Sequence, residues 1–508
     1  MQINVLEYFE QGALSKCPDK VAVVDQDRQY RFGEIARLAK NFAAALLKRI
    51  STVNSPVAVF LPKSAHTIIA DLGILYSGNA YANLDVKSPP QRLSSILRNL
   101  NAPVVVTSAP YQKALVAIGV PEKNMLLVEE AMVEGKVYDD TVLSTQRDAV
   151  IDTDPLCIIH TSGSTGVPKG VALNHRGTID FMDWVFGHLS LDGTEIIGSL
   201  SPFYFDIYTL ELYLSLAKGA TLVIIPEQCA AFPAKLVEFL AAQDISFIFW
   251  VPTIMVNIAN QDLLGQRRLD RLKKVLFAGE VFSTRHLNYW RRHLPEAMFV
   301  NLYGPIEINV DCTCFIVDRE FKDDEKLPIG FPCRNTDILI LNDQNQPAKN
   351  DEPGELCVRG TSLALGYWNN PERTAKAFVQ NPLNPHYPEL IYRTGDLVYR
   401  NDRGEIMFVG RKDFQIKHLG YRIELGEIEH AVLQVDGISN CCVAYNQNKK
   451  EIVLFYEGGQ DLTPASLRER LSAFLPKYML PTVFNRMDLL PRNPNGKIDR
   501  QQLVSSLS

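Results

Sequence analysis

The chain has 508 residues, of which 46% are hydrophobic and 22% charged, a composition typical of a globular protein of two or three domains. Its net charge of −6 supplies no basic field for nucleic acid, and its nine cysteines show no paired CxxC spacing typical of a zinc site or disulfide framework. No run of about eighteen apolar residues could span a membrane, and the N-terminus lacks a basic leader. We therefore expect a cytoplasmic protein with reduced thiols.

Strands and helices alternate through the first part of the chain. Residues 4–16 predict a helix, residues 20–31 a hairpin, and residues 33–50 a helix with one apolar face. Further strands are predicted at 56–61, 102–108, 220–226, 245–250 and 273–278, and further helices at 64–77 and 91–100. This alternation is typical of a mostly parallel sheet that is covered by helices on both faces.

The pattern changes in the C-terminal part. From about residue 336, short strands joined by polar turns indicate a smaller β-rich unit. From about residue 414 strands and helices alternate again, with helices predicted at 424–435 and 463–474. The charged, glycine-flanked stretch 410–422 is the predicted joint. The sequence therefore predicts an α/β core over 1–410, with a β-rich subdomain at about 336–410, and a small C-terminal domain over 411–508.

The most informative stretch is the loop at 161–170, which we call the phosphate loop. Its small residues are Thr161, Ser162, Gly163, Ser164, Thr165 and Gly166. Such residues leave backbone N–H groups free to converge on an anion, and Lys169 adds a mobile positive charge. The spacing is not the Walker pattern, because Lys169 precedes a strand rather than a helix. The loop therefore predicts a hairpin that holds a polyphosphate, with an ordinary Ser/Gly turn as the alternative.

Five further motifs follow the phosphate loop in order. They are NLYGPIE at 301–307, GELCVRGTSLALGYW at 354–368, YRTGDLVYR at 392–400, GRKDFQIKHLGYRIE at 410–424 and NPNGKIDR at 493–500. With the loop they resemble the motif set of the adenylate-forming (ANL) superfamily, and within it the free-standing amino-acid adenylation domains of nonribosomal peptide synthesis. The resemblance covers nearly the whole chain. It implies an α/β fold with a large N-terminal domain of two stacked mixed sheets, covering helices and a β-rich subdomain, plus a small mobile C-terminal α+β domain.

The resemblance implies a ligase that uses ATP and Mg²⁺ to form an aminoacyl adenylate. Lys169 and the loop would hold the β- and γ-phosphates, Glu307 would hold Mg²⁺, and Lys497 would bridge the substrate carboxylate and the α-phosphate. Asp396 suits a bidentate hydrogen bond to the ribose hydroxyls, and Tyr303 offers a ring face for adenine. The other residues expected to contact nucleotide are Gly279, Glu280, Asn301, Leu302, Gly304, Arg411 and Lys417.

Asp206 matches the aspartate that pairs with the substrate α-ammonium in this group of enzymes. A buried carboxylate without a cation is costly, so its presence favours a cationic ligand; a helix N-cap is the alternative. The other implied pocket residues are Phe205, Ile207, Leu210, Phe249, Leu276, Ala278, Leu302, Val310 and Asp311, together with Lys497. The mostly apolar set resembles that of prolyl-carrier-protein adenylating enzymes, whereas Asp311 leaves serine or another small polar amino acid open.

Three positions have a separate interpretation. Ile306 stands where the family usually has a threonine, a departure that would affect the rate rather than the reaction class. His175 is interpreted as structural rather than as a catalytic base. Cys312 and Cys314 are interpreted as buried small residues rather than as a pair of metal ligands.

The implied second step passes the acyl group to a phosphopantetheine thiol. No carrier segment follows Arg500, so we expect a separate carrier protein that is loaded in trans, without nucleic-acid or membrane partners. Asp413 is the implied hinge about which the small domain would turn between the two steps. The open alternatives are serine, alanine or D-alanine as the substrate, an acyl-CoA synthetase, and an ATP-binding relative without turnover.

Overall fold

The computed structural model describes residues 2–134, 139–163, 168–447, 449–459, 462–492 and 498–507. Its strands are β1 Val21–Asp25, β2 Arg28–Arg31, β3 Pro56–Val59, β4 Ala80–Asn83, β5 Val104–Thr107, β6 Met125–Leu127, β7 Pro155–Thr161, β8 Lys169–Asn174, β9 Ile196–Ser199, β10 Thr221–Ile224, β11 Phe247–Trp250, β12 Lys274–Phe277, β13 Met298–Tyr303, β14 Thr313–Ile316, β15 Phe331–Pro332, β16 Thr336–Leu341, β17 Gly354–Gly360, β18 Gly366–Tyr367, β19 Phe378–Gln380, β20 Leu390–Arg400, β21 Ile406–Arg411, β22 Gln415–His418, β23 Tyr421–Glu424, β24 Ile438–Asn446, β25 Glu451–Gly458 and β26 Val483–Arg486.

The α-helices are α1 Leu6–Gln11, α2 Ala13–Lys16, α3 Phe32–Leu47, α4 Ala65–Tyr76, α5 Pro90–Leu100, α6 Gln112–Ala117, α7 Val128–Glu134, α8 Asp140–Asp148, α9 His175–His188, α10 Ile207–Lys218, α11 Glu227–Ala231, α12 Pro233–Ala242, α13 Pro252–Asn260, α14 Leu263–Gln266, α15 Thr284–His293, α16 Pro371–Ala377, α17 Leu425–Val432, α18 Pro464–Leu471 and α19 Arg500–Ser505. Short 3₁₀ turns are Ala109–Tyr111, Glu122–Asn124, Ile306–Ile308 and Lys477–Met479. Among the residues described, no helix combines the length and the apolar character needed to cross a membrane.

Two large mixed sheets form the core of the chain. One has nine strands in the order β15-β14-β13-β12-β11-β9-β10-β1-β2, and the other has seven in the order β18-β8-β7-β4-β3-β5-β6. Their central pairs, such as β3 with β4 and β11 with β12, are parallel, and these strands are almost wholly buried. Strands of this kind need helices on both faces. One continuous apolar cluster joins the two sheets, and the predicted α/β class is confirmed.

The C-terminal part forms smaller sheets. Strands β16, β17, β20, β19 and β21 make a five-stranded sheet, β22 pairs with β23, and β24, β25 and β26 make a three-stranded sheet. The apolar clusters of residues 416–507 are separate from the large core. We call residues 415–507 the small unit. The domain boundary at 410/411 and the mobility of the small domain stay predictions.

The first predicted helix, over 4–16, is divided into α1 and α2 at Gly12. A Cβ atom at Gly12 would lie 2.2 Å from the carbonyl oxygen of Tyr8 and 2.4 Å from that of Ala217, at the end of α10. The break therefore follows from the close approach of the chain to a distant helix. The periodicity of the sequence gives no indication of such a contact.

Strands β7 and β8 form the hairpin predicted for the phosphate loop. They pair antiparallel, with Thr161 opposite Lys169 and Ile159 opposite Val171. The two ends of the loop are therefore held side by side at one edge of the seven-stranded sheet. Ser164, Thr165 and Gly166, three of the predicted loop residues, lie outside the described residues.

At Gly73, α3 and α4 approach each other so closely that a side chain would not fit. An added Cβ would lie 2.5 Å from Cδ1 of Phe42 and 2.8 Å from the carbonyl oxygen of Ala39. We expect Gly73→Ala to lower the free energy of unfolding by about 1–3 kcal/mol, because overpacking outweighs the better helix propensity of alanine. Thermal unfolding monitored by calorimetry measures the change.

The matched control is Gly187→Ala, in the exposed part of α9, where no atom lies within 4 Å of the added Cβ. That variant should keep the wild-type stability or gain about 0.5 kcal/mol. Equal unfolding temperatures for the two variants would contradict the packing argument.

Candidate active site

Lys169 and Glu307 form a buried ion pair beside the phosphate loop. Lys169 begins β8, and Glu307 lies in the 3₁₀ turn that follows β13. The Lys169 Nζ atom lies 3.1 Å from Oε1 of Glu307, and the hydroxyl of Tyr367 donates to the same oxygen at 2.9 Å. The Nζ atom also lies 4.8 Å from the centroid of the Tyr367 ring. The structure thus joins two predicted residues and adds Tyr367, whose motif was noted but whose role was missed.

Arg422, which sequence analysis did not assign, occupies the other side of this carboxylate. Its Nη1 atom donates to Oε2 of Glu307 at 2.7 Å. Burial raises the pKa of Glu307, but the charges of Arg422 and Lys169 outweigh that effect and hold the pKa below its usual range. Burial lowers the pKa of Lys169 to about 8, with Arg422 adding to the shift and Glu307 opposing it. At neutral pH all three groups are therefore charged.

The surroundings of Glu307 fit the Mg²⁺ ion that the resemblance implies. Mg²⁺ in nucleotide sites is held through one or two carboxylates together with substrate phosphates and water. Glu307 is fully buried and ionised, and its Oε2 atom accepts from Nη1 of Arg422, a residue of the small unit. A metal ion could take the place of Arg422 on this oxygen, whereas Lys169 and Tyr367 contact the other oxygen.

The small unit contacts the phosphate loop through β22 and β23, which we call the covering hairpin (residues 415–424). The hydroxyl of Ser162 donates to the carbonyl oxygen of Arg422 at 2.6 Å and accepts from the backbone N–H of Glu424 at 3.1 Å. The backbone N–H of Gly163 donates to Oε2 of Glu427, at the start of α17, at 3.0 Å. Polar groups of the small unit therefore pair with Ser162 and Gly163 of the loop.

The predicted nucleoside residues lie together. The hydroxyl of Tyr303 donates to Oδ2 of Asp396, and Nη1 of Arg411 donates to Oδ1 of the same carboxylate at 2.7 Å. Arg411 also makes a bidentate pair with the predicted hinge residue Asp413, at 2.6 and 2.7 Å. The Nζ atom of Lys417 lies 5.8 Å from the centroid of the Tyr303 ring. Both oxygens of Asp396 are thus held by protein donors that ribose hydroxyls could replace.

Three other residues predicted to contact nucleotide have a defined role in the local structure. Glu280 accepts from the backbone N–H of Thr253 at 3.0 Å and from the backbone N–H of Gly420, in the covering hairpin, at 2.8 Å. Gly279 has a φ of 90°, a conformation that favours glycine. The side-chain amide of Asn301 donates to the carbonyl oxygen of Pro328 at 2.7 Å. Glu280 and Asn301 therefore hold neighbouring backbone segments in place.

Asp206 lies immediately before α10 and makes no capping hydrogen bond to that helix. The N-cap alternative therefore receives no support. Burial raises the pKa of Asp206 to about 7, and the charge of Lys417 offsets part of the shift. The apolar pocket residues all belong to one buried cluster: Ile207, Leu210, Phe249, Leu276, Ala278, Leu302 and Val310. That cluster extends through the whole large core, and Asp206 lies at the start of the helix that supplies two of the predicted pocket residues.

The backbone is strained at the turn that precedes Asp311. Asn309 and Val310 both have left-handed conformations, with φ of 53° and 68°, which is rare for a β-branched residue such as valine. The Asn309 side chain stabilises the turn, since it accepts from the hydroxyl of Thr178 at 3.1 Å and donates to the carbonyl oxygen of Ser362 at 2.9 Å. Sequence patterns gave no signal for this pair.

Asp311, the discordant member of the pocket set, follows this turn. It is buried, and its Oδ2 atom has no hydrogen-bond partner among the described residues. Burial raises the pKa of Asp311 well above its usual range, and the negative charge of Asp206 adds to the shift. Both effects disfavour a second negative charge beside Asp206.

A buried polar network supports the start of α10 from behind. The hydroxyl of Tyr208 and the side-chain amide of Asn83 each donate to Oδ2 of Asp71 at 3.0 Å. Asn83 also donates to the carbonyl oxygen of Phe203 at 3.3 Å. Because Phe203 and Tyr208 flank Asp206 in the chain, this network fixes the backbone that presents the carboxylate. None of its members was singled out from the sequence.

Other predicted residues lie away from these contacts. His175 is buried, and its Nδ1 atom accepts from the backbone N–H of Val5 at 3.4 Å. Burial lowers the pKa of His175 to about 4, which supports its structural interpretation. Cys312 and Cys314 are buried thiols, as interpreted from the sequence. Lys497 lies outside the described residues; the next residue, Ile498, packs against an apolar cluster of the small unit.

A protein-family model described as AMP-binding enzyme matches residues 9–368, well over half of the chain. The chain belongs to the AMP-binding enzyme family. Members of this family are adenylate-forming ligases that use ATP with Mg²⁺. The predicted resemblance, ligase class and cofactors are therefore confirmed at the level of the family.

The relatives of this AMP-binding enzyme agree with that placement. Tyrocidine synthase 1 of Brevibacillus parabrevis is 32% identical over 503 residues, covering 98% of the chain and 45% of that protein, so the chain spans less than half of this relative. Zwittermicin A synthase ZmaJ of Bacillus cereus is 30% identical over 516 residues, covering 99% of the chain and 95% of that protein. The structure of the Vibrio cholerae adenylation domain AlmE, in complex with glycyl-adenosine-5'-phosphate, has a TM-score of 0.83 at 21% identity and covers 100% of the chain and 98% of that domain. This last likeness shows a shared fold.

The raised pKa of Asp206 predicts a pH-dependent cost to stability. The folded state keeps a proton between the unfolded pKa of 3.8 and the folded value of about 7, so stability falls as pH rises through this window. We expect Asp206→Asn to raise the free energy of unfolding by about 2–4 kcal/mol at about pH 8. The gain should be smaller at about pH 5, where the carboxyl group is mostly protonated.

Thermal unfolding of the two proteins at both pH values measures this difference. Asp402→Asn, on an exposed turn, is the control and should change neither curve. A loss of stability in Asp206→Asn at the higher pH would mean that the carboxylate already has a stabilising partner within the protein.

Proposed function

We propose that this enzyme activates an amino acid with ATP and then transfers it to the phosphopantetheine thiol of a carrier protein. The observation that carries the proposal is Asp206, a carboxylate with a raised pKa that makes no capping hydrogen bond to α10, the helix that supplies two residues of the predicted apolar pocket. Such a group gains a partner when a substrate brings an ammonium group. The electrostatics of Lys417 couple this pocket to the predicted nucleoside residues, since its charge acts on both Asp206 and Asp396.

In the first step an oxygen of the amino-acid carboxylate attacks the α-phosphorus of ATP, and the bond to pyrophosphate breaks. Lys169 and the phosphate loop hold the departing phosphates, whose charge would otherwise repel the attacking carboxylate. When bound at Glu307, Mg²⁺ supplies further positive charge to the phosphate oxygens. Asp396 accepts from the ribose hydroxyls and Tyr303 packs against adenine, so that the α-phosphorus is oriented towards the carboxylate.

Proline is the amino acid that the pocket favours. Its ring suits contacts with Leu210, Phe249 and Val310, which are buried in one cluster. Its secondary ammonium group still offers two N–H donors to Asp206. Asp311, whose Oδ2 atom has no hydrogen-bond partner among the described residues, adds a polar group, and it keeps serine, alanine and D-alanine as the competing substrates.

In the second step the carrier thiol attacks the acyl carbonyl, the bond from the acyl carbon to AMP breaks, and the thiol proton is released. The small unit would present different residues in each step. In the arrangement described above, the covering hairpin contacts the phosphate loop. We assign this arrangement to the state after adenylation, which the small unit would reach by rotation about Asp413.

Exchange of labelled pyrophosphate into ATP, measured across the twenty amino acids, tests the proposal. We expect proline to give the highest exchange and Asp206→Ala to abolish amino-acid-dependent exchange, because the ammonium group loses its partner. No exchange with any amino acid would refute amino-acid activation. An acyl-CoA synthetase would instead form AMP from a carboxylic acid and coenzyme A, and Asp206→Ala would leave that activity intact.

Lys497 provides a test of the two-step scheme. We expect Lys497→Ala to slow adenylation by about 10²–10³-fold, as is typical for loss of one charge-stabilising donor. Transfer of a preformed prolyl adenylate to a carrier protein should be much less affected. Equal loss in both half-reactions would contradict a lysine that acts only before the small unit turns.

A further inference from the structure

Two donors of the large core share one carboxylate of the small unit. Oε2 of Glu427 accepts from the backbone N–H of Gly163 at 3.0 Å, and Oε1 pairs with Nη1 of Arg92. The side chains of Arg92 and Glu427 are only 7% and 3% exposed. Gly163 belongs to the phosphate loop, and Arg92 lies in the first turn of α5. A backbone amide and a guanidinium from distant parts of the core therefore converge on an anion that another unit delivers.

The same segment of the small unit also places a positive charge beside a carboxylate of the large core. Arg422 places its guanidinium 2.7 Å from Oε2 of Glu307, the carboxylate oxygen that we expect to face Mg²⁺. Glu427 and Arg422 thus place a negative group on the anion donors and a positive group on the metal carboxylate. This is the charge pattern of a magnesium–polyphosphate complex, reproduced by side chains of the enzyme itself.

Arg92 has the chemistry of a phosphate ligand. A guanidinium offers several N–H donors in a fixed plane and binds carboxylates and phosphates with similar geometry. When Glu427 leaves, Arg92 and the N–H of Gly163 lose their shared acceptor while both remain on the core. Both donors are then available to another anionic partner.

We propose that Arg92 binds the terminal phosphates of ATP and pyrophosphate together with Gly163, and that Glu427 occupies the same donors once pyrophosphate has left. The inference rests on the proposed function, because it takes the phosphate loop to be the polyphosphate site. The consequence is competition between pyrophosphate and the small unit for the same donors. Binding of pyrophosphate therefore weakens docking of the small unit, and docking weakens pyrophosphate binding by the same factor.

Isothermal titration of the full-length protein with magnesium pyrophosphate, without amino acid, tests this competition. Glu427→Gln keeps the shape of the side chain but weakens the internal anion, so pyrophosphate affinity should rise by about 5- to 50-fold, the range of typical coupling between sites. Adding Arg92→Gln to Glu427→Gln should then lower the affinity at least about tenfold relative to Glu427→Gln alone. Binding of AMP, which lacks the terminal phosphates, should be the same in both variants.

Glu429→Gln is the matched control. It lies on the same helix and also pairs with an arginine, since its carboxylate lies 2.6 Å from Arg500 within the small unit. It should leave pyrophosphate affinity unchanged. Arg92→Lys in the Glu427→Gln background should fall between the glutamine double variant and its parent, because lysine keeps the charge without the planar donors. Circular dichroism of each variant establishes that it is folded.

The inference is overturned if folded Glu427→Gln binds magnesium pyrophosphate no more tightly than wild type, or if Arg92→Gln removes no affinity in that background. Failure of the proposed function has a different signature. In that case the wild-type enzyme shows no amino-acid-dependent pyrophosphate exchange, whatever the binding constants of these variants.

Discussion

The buried carboxylate of Glu307 is the constraint on which the rest of the site depends. It has no contact with solvent, and its two oxygens are balanced by Lys169 with Tyr367 on one side and by Arg422 on the other. Leaving such a carboxylate without cations would cost several kcal/mol, so the site depends on these positive charges. Lys169 belongs to the core, whereas Arg422 belongs to the small unit. Under the proposed function, Arg422 is the cation that the magnesium–nucleotide complex would replace.

In the predicted amino-acid pocket, the surrounding fold holds in place two carboxyl groups whose charge is disfavoured by their environment. The polar network of Asp71 and Asn83 fixes the backbone on both sides of Asp206, and the side chain of Asn309 stabilises a left-handed turn before Asp311. Both carboxyl groups have raised pKa values because they are buried. Under the proposed function, the energy that destabilises the free protein here would become available when an ammonium group binds.

Several features followed from the sequence because they depend on short-range patterns. Alternating apolar runs identified the α/β core, and the small residues before Lys169 identified a hairpin loop, which β7 and β8 form. The ordered motifs placed Lys169 with Glu307 and Tyr303 with Asp396, pairs that are far apart in the chain but in contact in the structure. The break at Gly12 was missed because it arises from contact with a helix some two hundred positions away.

The sequence by itself determined the class of fold, the family and the chemical character of the site, since these follow from local periodicity and from motifs of fixed spacing. Only the tertiary structure decided which groups balance the buried charges. Sequence analysis assigned no role to Arg92, Arg422 or Glu427, because charge compensation depends on where separate units meet. That meeting places a carboxylate on the amide of Gly163 and a guanidinium on Glu307. These residues owe their role to their proximity in the folded protein rather than to their spacing along the chain.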